Sequence, residues 1–142
     1  MIFFVDSSAL IKRYIEEIGS EKVDDLFTIA SKIILSPITK IEIHSTIDRL
    51  KCERLLSNKD YSRLTKEIHH DFKYFSVLPF NHQIELQSIY LIEKHHRRTL
   101  DSIQLASCLS QKDFIDSFVV SDRKLKVAAK KENCNFIDPT ES

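Results

Sequence analysis

Short runs of consecutive apolar residues alternate along this chain with longer stretches in which apolar positions recur every three or four residues. Ile2-Phe3-Phe4-Val5 contains no polar member and is halted by Asp6, the mark of a strand buried on both faces. A helix is predicted from about Ser7 to Glu17. Gly19-Ser20 then breaks and caps the chain before an amphipathic helix through Val23, Leu26, Phe27 and Ala30. Ile33 to Leu35 reads as a second strand, closed by Ser36-Pro37. A long helix follows from Ile38 to Leu56, with Ile43, Ile47 and Leu50 on one side, and another from Lys59 to Phe75 through Tyr61, Leu64, Ile68 and Phe72. Val77 to Phe80 reads as a short strand. Asn81 caps a helix reaching His95, and Thr99 opens one containing Ile103, Ala106 and Leu109. Phe118 to Val120 is the next strand, Asp122 to Glu132 the next helix, and Phe136-Ile137 a short last strand ended by Asp138-Pro139.

Apolar strands alternating with amphipathic helices predict an α/β fold: a three-layer α/β/α sandwich around a central parallel sheet. At 142 residues the chain is expected to form a single domain spanning 1–142. The charged helical segment around residues 57–75 is expected as an arm projecting from the sheet.

Composition narrows the chemistry. The formal net charge is +0, so bulk charge gives no support to nucleic-acid binding, and any such role must rest on local patches. Cys52, Cys108 and Cys134 are odd in number and widely spaced, which suggests neither a disulfide framework nor a cysteine zinc site and fits a reduced, cytoplasmic setting. The apolar opening is too short for a signal peptide or a membrane span. With Gly19 the only glycine, Gly-rich phosphate loops are excluded.

Four carboxylates stand where an apolar run gives way to a helix: Asp6, Glu42, Asp101 and Asp122. Open parallel sheets bind ligands beyond the carboxyl ends of their strands, so all four are candidates for one edge. Each also has a local reading. Asp6 and Asp122 are good N-caps, Thr39-Lys40-Ile41-Glu42 fits a capping box, and Asp101 in a first turn complements the helix dipole. Taken together they would repel unless a cation neutralised them. Magnesium or manganese suits an all-oxygen set and, once bound, phosphodiester hydrolysis.

The segment Val5-Asp6-Ser7-Ser8-Ala9-Leu10 resembles the opening of PIN-domain proteins, a strand running into Asp, Ser or Thr, then Ser-Ala-Leu. Thr39-Lys40-Ile41-Glu42 resembles their second motif, Leu100-Asp101-Ser102-Ile103-Gln104-Leu105-Ala106 the third, and Phe118-Val119-Val120-Ser121-Asp122 the fourth. At this length the chain is similar to the VapC-type toxins of toxin–antitoxin pairs. That resemblance implies a magnesium- or manganese-dependent endoribonuclease with a separately encoded antitoxin. It also implies metal ligation by Asp6, Glu42, Asp101 and Asp122, with the Ser8 hydroxyl holding Asp6. Val120 departs from the pattern, standing where family members often carry Ser or Thr, which makes Asp122 the least secure ligand.

Basic residues flank these acids. Lys12, Arg13, Arg97, Arg98 and Arg123 are assigned to docking of an RNA backbone, since phosphate contacts position a nucleic acid without reading its sequence. A solvated charged surface is the competing reading. His95 and His96 show no ligand spacing with the other histidines. Exposed apolar helix faces would suit a homodimer or an antitoxin helix. The rival functions are a catalytically weak PIN-fold module that works by binding RNA or antitoxin, and other carboxylate phosphoryl-transfer folds. A haloacid-dehalogenase-type phosphatase wants Asp where this chain has Ser8, and a response-regulator receiver wants paired acids on the first strand.

Overall fold

The computed structural model describes residues 1–141, which form five strands in the order β3-β2-β1-β4-β5, all parallel. Strand β1 (Ile2–Val5) is central. It pairs with β2 (Lys32–Leu35) on one side and β4 (Ser117–Val119) on the other, so Phe4 stands opposite both Ile34 and Phe118. Short strands β3 (Ser76–Val77) and β5 (Phe136–Ile137) close the edges. Because side chains alternate across a sheet, Phe3, Val5, Ile33, Leu35 and Val119 enter one core. Phe4, Ile34, Phe118 and Val120 enter the other. The first core is covered by α1 (Ser7–Leu10), α2 (Ser20–Ile29), α3 (Thr39–Cys52) and α4 (Asn58–Asp71). The second is covered by α5 (His82–His95), α6 (Thr99–Ser110) and α7 (Arg123–Lys131). The predicted three-layer sandwich with a parallel centre is therefore the observed fold.

Two expectations need correction. The helix predicted from Ser7 to Glu17 stops at Leu10, tightens into a 3₁₀ turn over Ile11–Arg13 and ends. One contact distant in sequence and one local ion pair accompany the break in its helical pattern. The Tyr14 hydroxyl donates to Asp71 at 2.7 Å, and Lys12 folds inward onto Glu17 at 2.8 Å. Gly19, at φ +98°, lies so close to the final segment that a Cβ would meet the Pro139 carbonyl oxygen at 3.0 Å and Lys12 Cδ at 3.1 Å; only glycine fits that approach.

The segment around 57–75 is no projecting arm. Ser57 caps α4 by accepting from the Asp60 amide, and Leu64 and Ile68 are buried in the same core as Ile43 and Ile47. Their i, i+4 spacing gave α4 an apolar stripe, and a stripe on a charged helix is the part that docks. Among the described residues, no helix is long and apolar enough to cross a membrane.

Candidate active site

The strand order reverses direction at β1, with chain connections leaving towards β2 on one side and returning at β4 on the other. Such a switch point opens a crevice at the carboxyl edge of a parallel sheet. Asp6 leaves β1 there, its amide donating to the Val119 carbonyl at 2.9 Å, and Asp122 follows β4 after Val120-Ser121. Ser8 links the two. Its hydroxyl donates to Asp6 Oδ2 at 2.5 Å and accepts from the amides of Ser121 at 3.0 Å and Asp122 at 3.2 Å. One short side chain thus ties the end of β1 to the turn after β4.

Asp6 and Asp122 are caps as well as neighbours. Asp6 Oδ2 accepts from the Ser8 amide at 3.0 Å at the start of α1, and Asp122 Oδ1 accepts from the Leu125 amide at 2.8 Å at the start of α7. Capping occupies one oxygen of each and leaves the other without a donor among the described residues. The two explanations offered by the sequence are compatible for this pair.

For Glu42 they are not. Ile38, not a side-chain cap, precedes α3, and Glu42 reaches across the cleft instead of folding back onto its own helix. Glu42 Oε1 accepts from Ser7 Oγ at 2.7 Å and from Gln104 Nε2 at 2.8 Å. Gln104 Nε2 also meets Ser7 Oγ at 2.7 Å and the buried Thr39 hydroxyl at 3.1 Å, so α1, α3 and α6 converge on one amide. Its Oε1 is buried with no partner among the described residues, as is Ser121 Oγ.

Asp101 lies in the first turn of α6, one turn before Gln104 and so on the same side of that helix. Its Oδ2 is held by Arg97 Nη2 at 2.5 Å. It is the one member of the four whose partner is a cation.

Burial pushes the Asp6 carboxyl up from 3.8 to about 7. The two Ser8 bonds pull the other way, and the charges of Glu42 and Asp122 add to the rise. A buried carboxyl beside two further acids ionises more readily once a cation stands next to it. Among the described residues no three acids, histidines or cysteines stand close enough to cage an ion unaided. That is compatible with magnesium or manganese, which bind through one or two carboxylates and retain waters. On donor chemistry and charge the residues fit such an ion: Asp6, Glu42 and Asp122 each have an oxygen to offer. Asp101 has its Oδ2 held, and its charge offset, by Arg97.

A cleft of about 630 Å³ opens at Ser7, Ser8 and Glu42. Apolar walls supplied by Ile11, Ile15, Ile41 and Leu100 bound it, with Arg49 on its rim. A second cleft, of about 420 Å³, is basic. Arg97, Arg123, Lys124 and Lys131 line it together with His95. The predicted basic set therefore divides. Arg97 and Arg123 share the second cleft and Arg98 is exposed at the cap of α6. Lys12 is buried against Glu17. Arg13 pairs with Asp71 at 3.0 Å and lies 4.9 Å over the Phe27 ring, among α2 and α4 and not at the acids. His95 bonds Glu132 at 2.9 Å.

Sequence reasoning missed Ser7, Thr39 and Gln104. Gln104 carried a usable signal: it is a long polar residue three positions after Asp101 within a helix whose neighbouring positions are apolar or small. Val120, the departure noted in the fourth motif, is buried in the second core, and the unpartnered hydroxyl of Ser121 lies beside it in sequence.

Residues 3–131 match the family profile described as PIN domain. Solved structures share the architecture at low sequence identity. A toxin–antitoxin complex from Klebsiella pneumoniae is 14% identical, covering 98% of each chain at a TM-score of 0.68. FitAcB from Neisseria gonorrhoeae is 16% identical, covering 100% of both at 0.74. VapBC2 from Rickettsia felis, bound to a promoter DNA fragment, is 12% identical, covering 96% of this chain and 98% of its own at 0.64. At these identities the likeness is one of fold. No curated protein matches the sequence.

Proposed function

The chain belongs to the PIN-domain family, and from that premise we propose that it is a magnesium- or manganese-dependent endoribonuclease, the toxin of a toxin–antitoxin pair. What supports this reading is that Ser8 bonds both Asp6 and the Asp122 amide while Gln104 bonds Glu42, with the Asp6 carboxyl pushed up to about 7 by burial and by the charges of Glu42 and Asp122. Asp6, Glu42 and Asp122 would hold the ion, and Asp101 would complete the set. Bound there, the ion supplies Lewis-acid chemistry: it eases deprotonation of a water and stabilises charge on phosphoryl oxygens.

The chain's own residues do the rest. Ser8 fixes the Asp6 carboxylate and spends its remaining hydrogen-bonding capacity on the turn that carries Asp122. Gln104 and Ser7 orient Glu42 with neutral donors, which preserves its charge for the ion. Arg97, Arg98 and Arg123 would take RNA phosphates, aligning the backbone across the acids for in-line attack. Lys12 and Arg13, committed to Glu17 and Asp71, contribute nothing to that docking. The products would carry 5′-phosphate and 3′-hydroxyl ends.

The structural neighbour that is a toxin–antitoxin complex motivates the partner. Ile41, 70% exposed, and Leu100, 46% exposed, give the acidic cleft an apolar lip suited to an antitoxin helix. A homodimer and a cytoplasmic location complete the reading.

The test is cleavage of single-stranded RNA with magnesium by the wild type, Asp6→Asn and Asp101→Asn, with end-mapping of the products. Loss in both variants is expected; undiminished cleavage in both would refute the site. Two observations favour the alternative of a catalytically weak binding module: Asp101 is neutralised by Arg97, and Val120 offers no hydroxyl. RNA binding by the wild type without cleavage in either metal would establish that alternative.

A further inference from the structure

Building on the metal-dependent reading above, we propose that Arg97 is an exchangeable counter-ion. It neutralises Asp101 while the acid site lacks its cation, and it passes to a substrate phosphate when the cation takes over Asp101. Arg97 lines the basic cleft and bonds the acid that stands one turn before Gln104 on α6. One guanidinium nitrogen, Nη2, bonds Asp101 Oδ2, while the same side chain lines the basic cleft with Arg123, Lys124 and Lys131. Its Nε–H is buried and has no acceptor among the described residues. A guanidinium carries five donors in a fixed fork, and here a single bond engages it. The vacant donor on a buried stem is what an oxyanion with two acceptor oxygens would satisfy, because arginine binds phosphate with paired N–H bonds.

The contact with Asp101 is suited to exchange. It is an i, i+4 pair made by one nitrogen rather than a two-nitrogen fork, with the two side chains 18% and 25% exposed, so solvent reaches both partners. Asp6 and Glu42 differ, being held by hydroxyls and an amide that leave their charge intact. With Arg97 on Asp101 Oδ2, the charge of the fourth acid is cancelled and the arginine is engaged away from phosphate. Releasing one releases the other. Cation and RNA should therefore favour each other's binding through this residue, since a coupling between two sites is reciprocal.

The experiment measures manganese binding without RNA, and binding of a single-stranded oligoribonucleotide without metal, for the wild type, Asp6→Asn, Asp101→Asn, Arg97→Ala, Arg97→Lys and Arg97→Ala combined with Asp101→Asn. Circular dichroism verifies that each is folded. Arg97→Ala should bind manganese about three- to tenfold more tightly and the oligoribonucleotide about three- to tenfold more weakly. Arg97→Lys should fall between. The double variant should bind manganese no better than Asp101→Asn alone. Unchanged or weakened manganese binding by Arg97→Ala overturns the exchange, as does unchanged RNA binding. Manganese binding that Asp6→Asn abolishes but Arg97→Ala does not alter would defeat the exchange and leave the acid site standing. Absence of manganese binding in every folded variant would defeat both.

Discussion

The two sides of the acid cluster are built differently. On the sheet side, Asp6 and Glu42 receive hydrogen bonds from Ser8, Ser7 and Gln104, all neutral groups that fix a carboxylate without cancelling it. On the α6 side, Asp101 is met by the guanidinium of Arg97, which fixes and cancels it together. Neutral donors leave charge stored in place, and burial, with the charges of Glu42 and Asp122 adding, raises the Asp6 carboxyl against the pull of its Ser8 bonds; a cationic partner stores none. The difference teaches that burial and orientation alone do not prepare a site for a divalent ion. What prepares it is orientation by groups that leave the charge in place.

The comparison breaks first at Asp6. Asp6→Asn should lower metal-dependent RNA cleavage by about a hundredfold or more, measured in single-turnover assays. Without metal, the same variant should be more stable than the wild type at neutral pH, because it removes a buried ionisable carboxyl. A thermal midpoint below that of the wild type would contradict the account of stored charge.

Ser8→Ala comes next. It strips Asp6 of a donor and leaves the amides of Ser121 and Asp122 without their acceptor. Each orphaned group costs about 1–3 kcal/mol, so a clear fall in the thermal midpoint should accompany a loss of manganese affinity. Gln104→Ala should weaken manganese binding by about tenfold with a smaller fall in stability, and Gln104→Glu should not restore it, since a second acid would repel Glu42. Full manganese affinity in Gln104→Ala would show that Glu42 needs no positioning.

Protonation sharpens the comparison. With its folded value raised to about 7 from 3.8, Asp6 is protonated more readily in the folded chain than in the unfolded one. Its contribution to stability is complete below about 3.8 and is lost as pH rises through about 7. Cation binding needs the ionised form, so manganese affinity should fall as pH drops below about 7 while this group's share of metal-free stability rises. Subtracting the Asp6→Asn profile from that of the wild type isolates the group. Parallel profiles for the two proteins would contradict the assignment.

The smallest effects belong to the basic residues with internal partners. Lys12→Ala and Arg13→Ala should change RNA affinity less than about twofold, whereas Arg123→Ala and Arg98→Ala should weaken it and lower the salt dependence by roughly 0.7 each for a single strand. Filter binding across a salt series distinguishes the two pairs, and equal effects in all four would return Lys12 and Arg13 to the interface.

Much of this was legible in the chain before any coordinates. The central strand announced itself through four consecutive apolar residues and the acid that ends them, and the order of apolar runs and helices carried the layered fold. Asp6, Glu42 and Asp122 could be nominated because the carboxyl edge of a parallel sheet is fixed by topology. What stayed hidden depended on partners distant in sequence. Nothing between Leu10 and Gly19 signals that the helix must break, because Tyr14 meets Asp71 only once the chain has folded. Ser7 and Gln104 looked like ordinary helix residues until α1, α3 and α6 converged. The Arg97–Asp101 pair was readable as i, i+4 spacing, yet spacing does not say whether a partner holds an acid ready or holds it closed.

Crystals of the wild type soaked in manganese, with data collected at the manganese absorption edge, test the central claim most directly. The account predicts an anomalous peak at the β1/β4 crevice within coordination distance of Asp6 and Glu42, absent in Asp6→Asn crystals treated the same way. A peak elsewhere on the surface, or none, in wild-type crystals would contradict it.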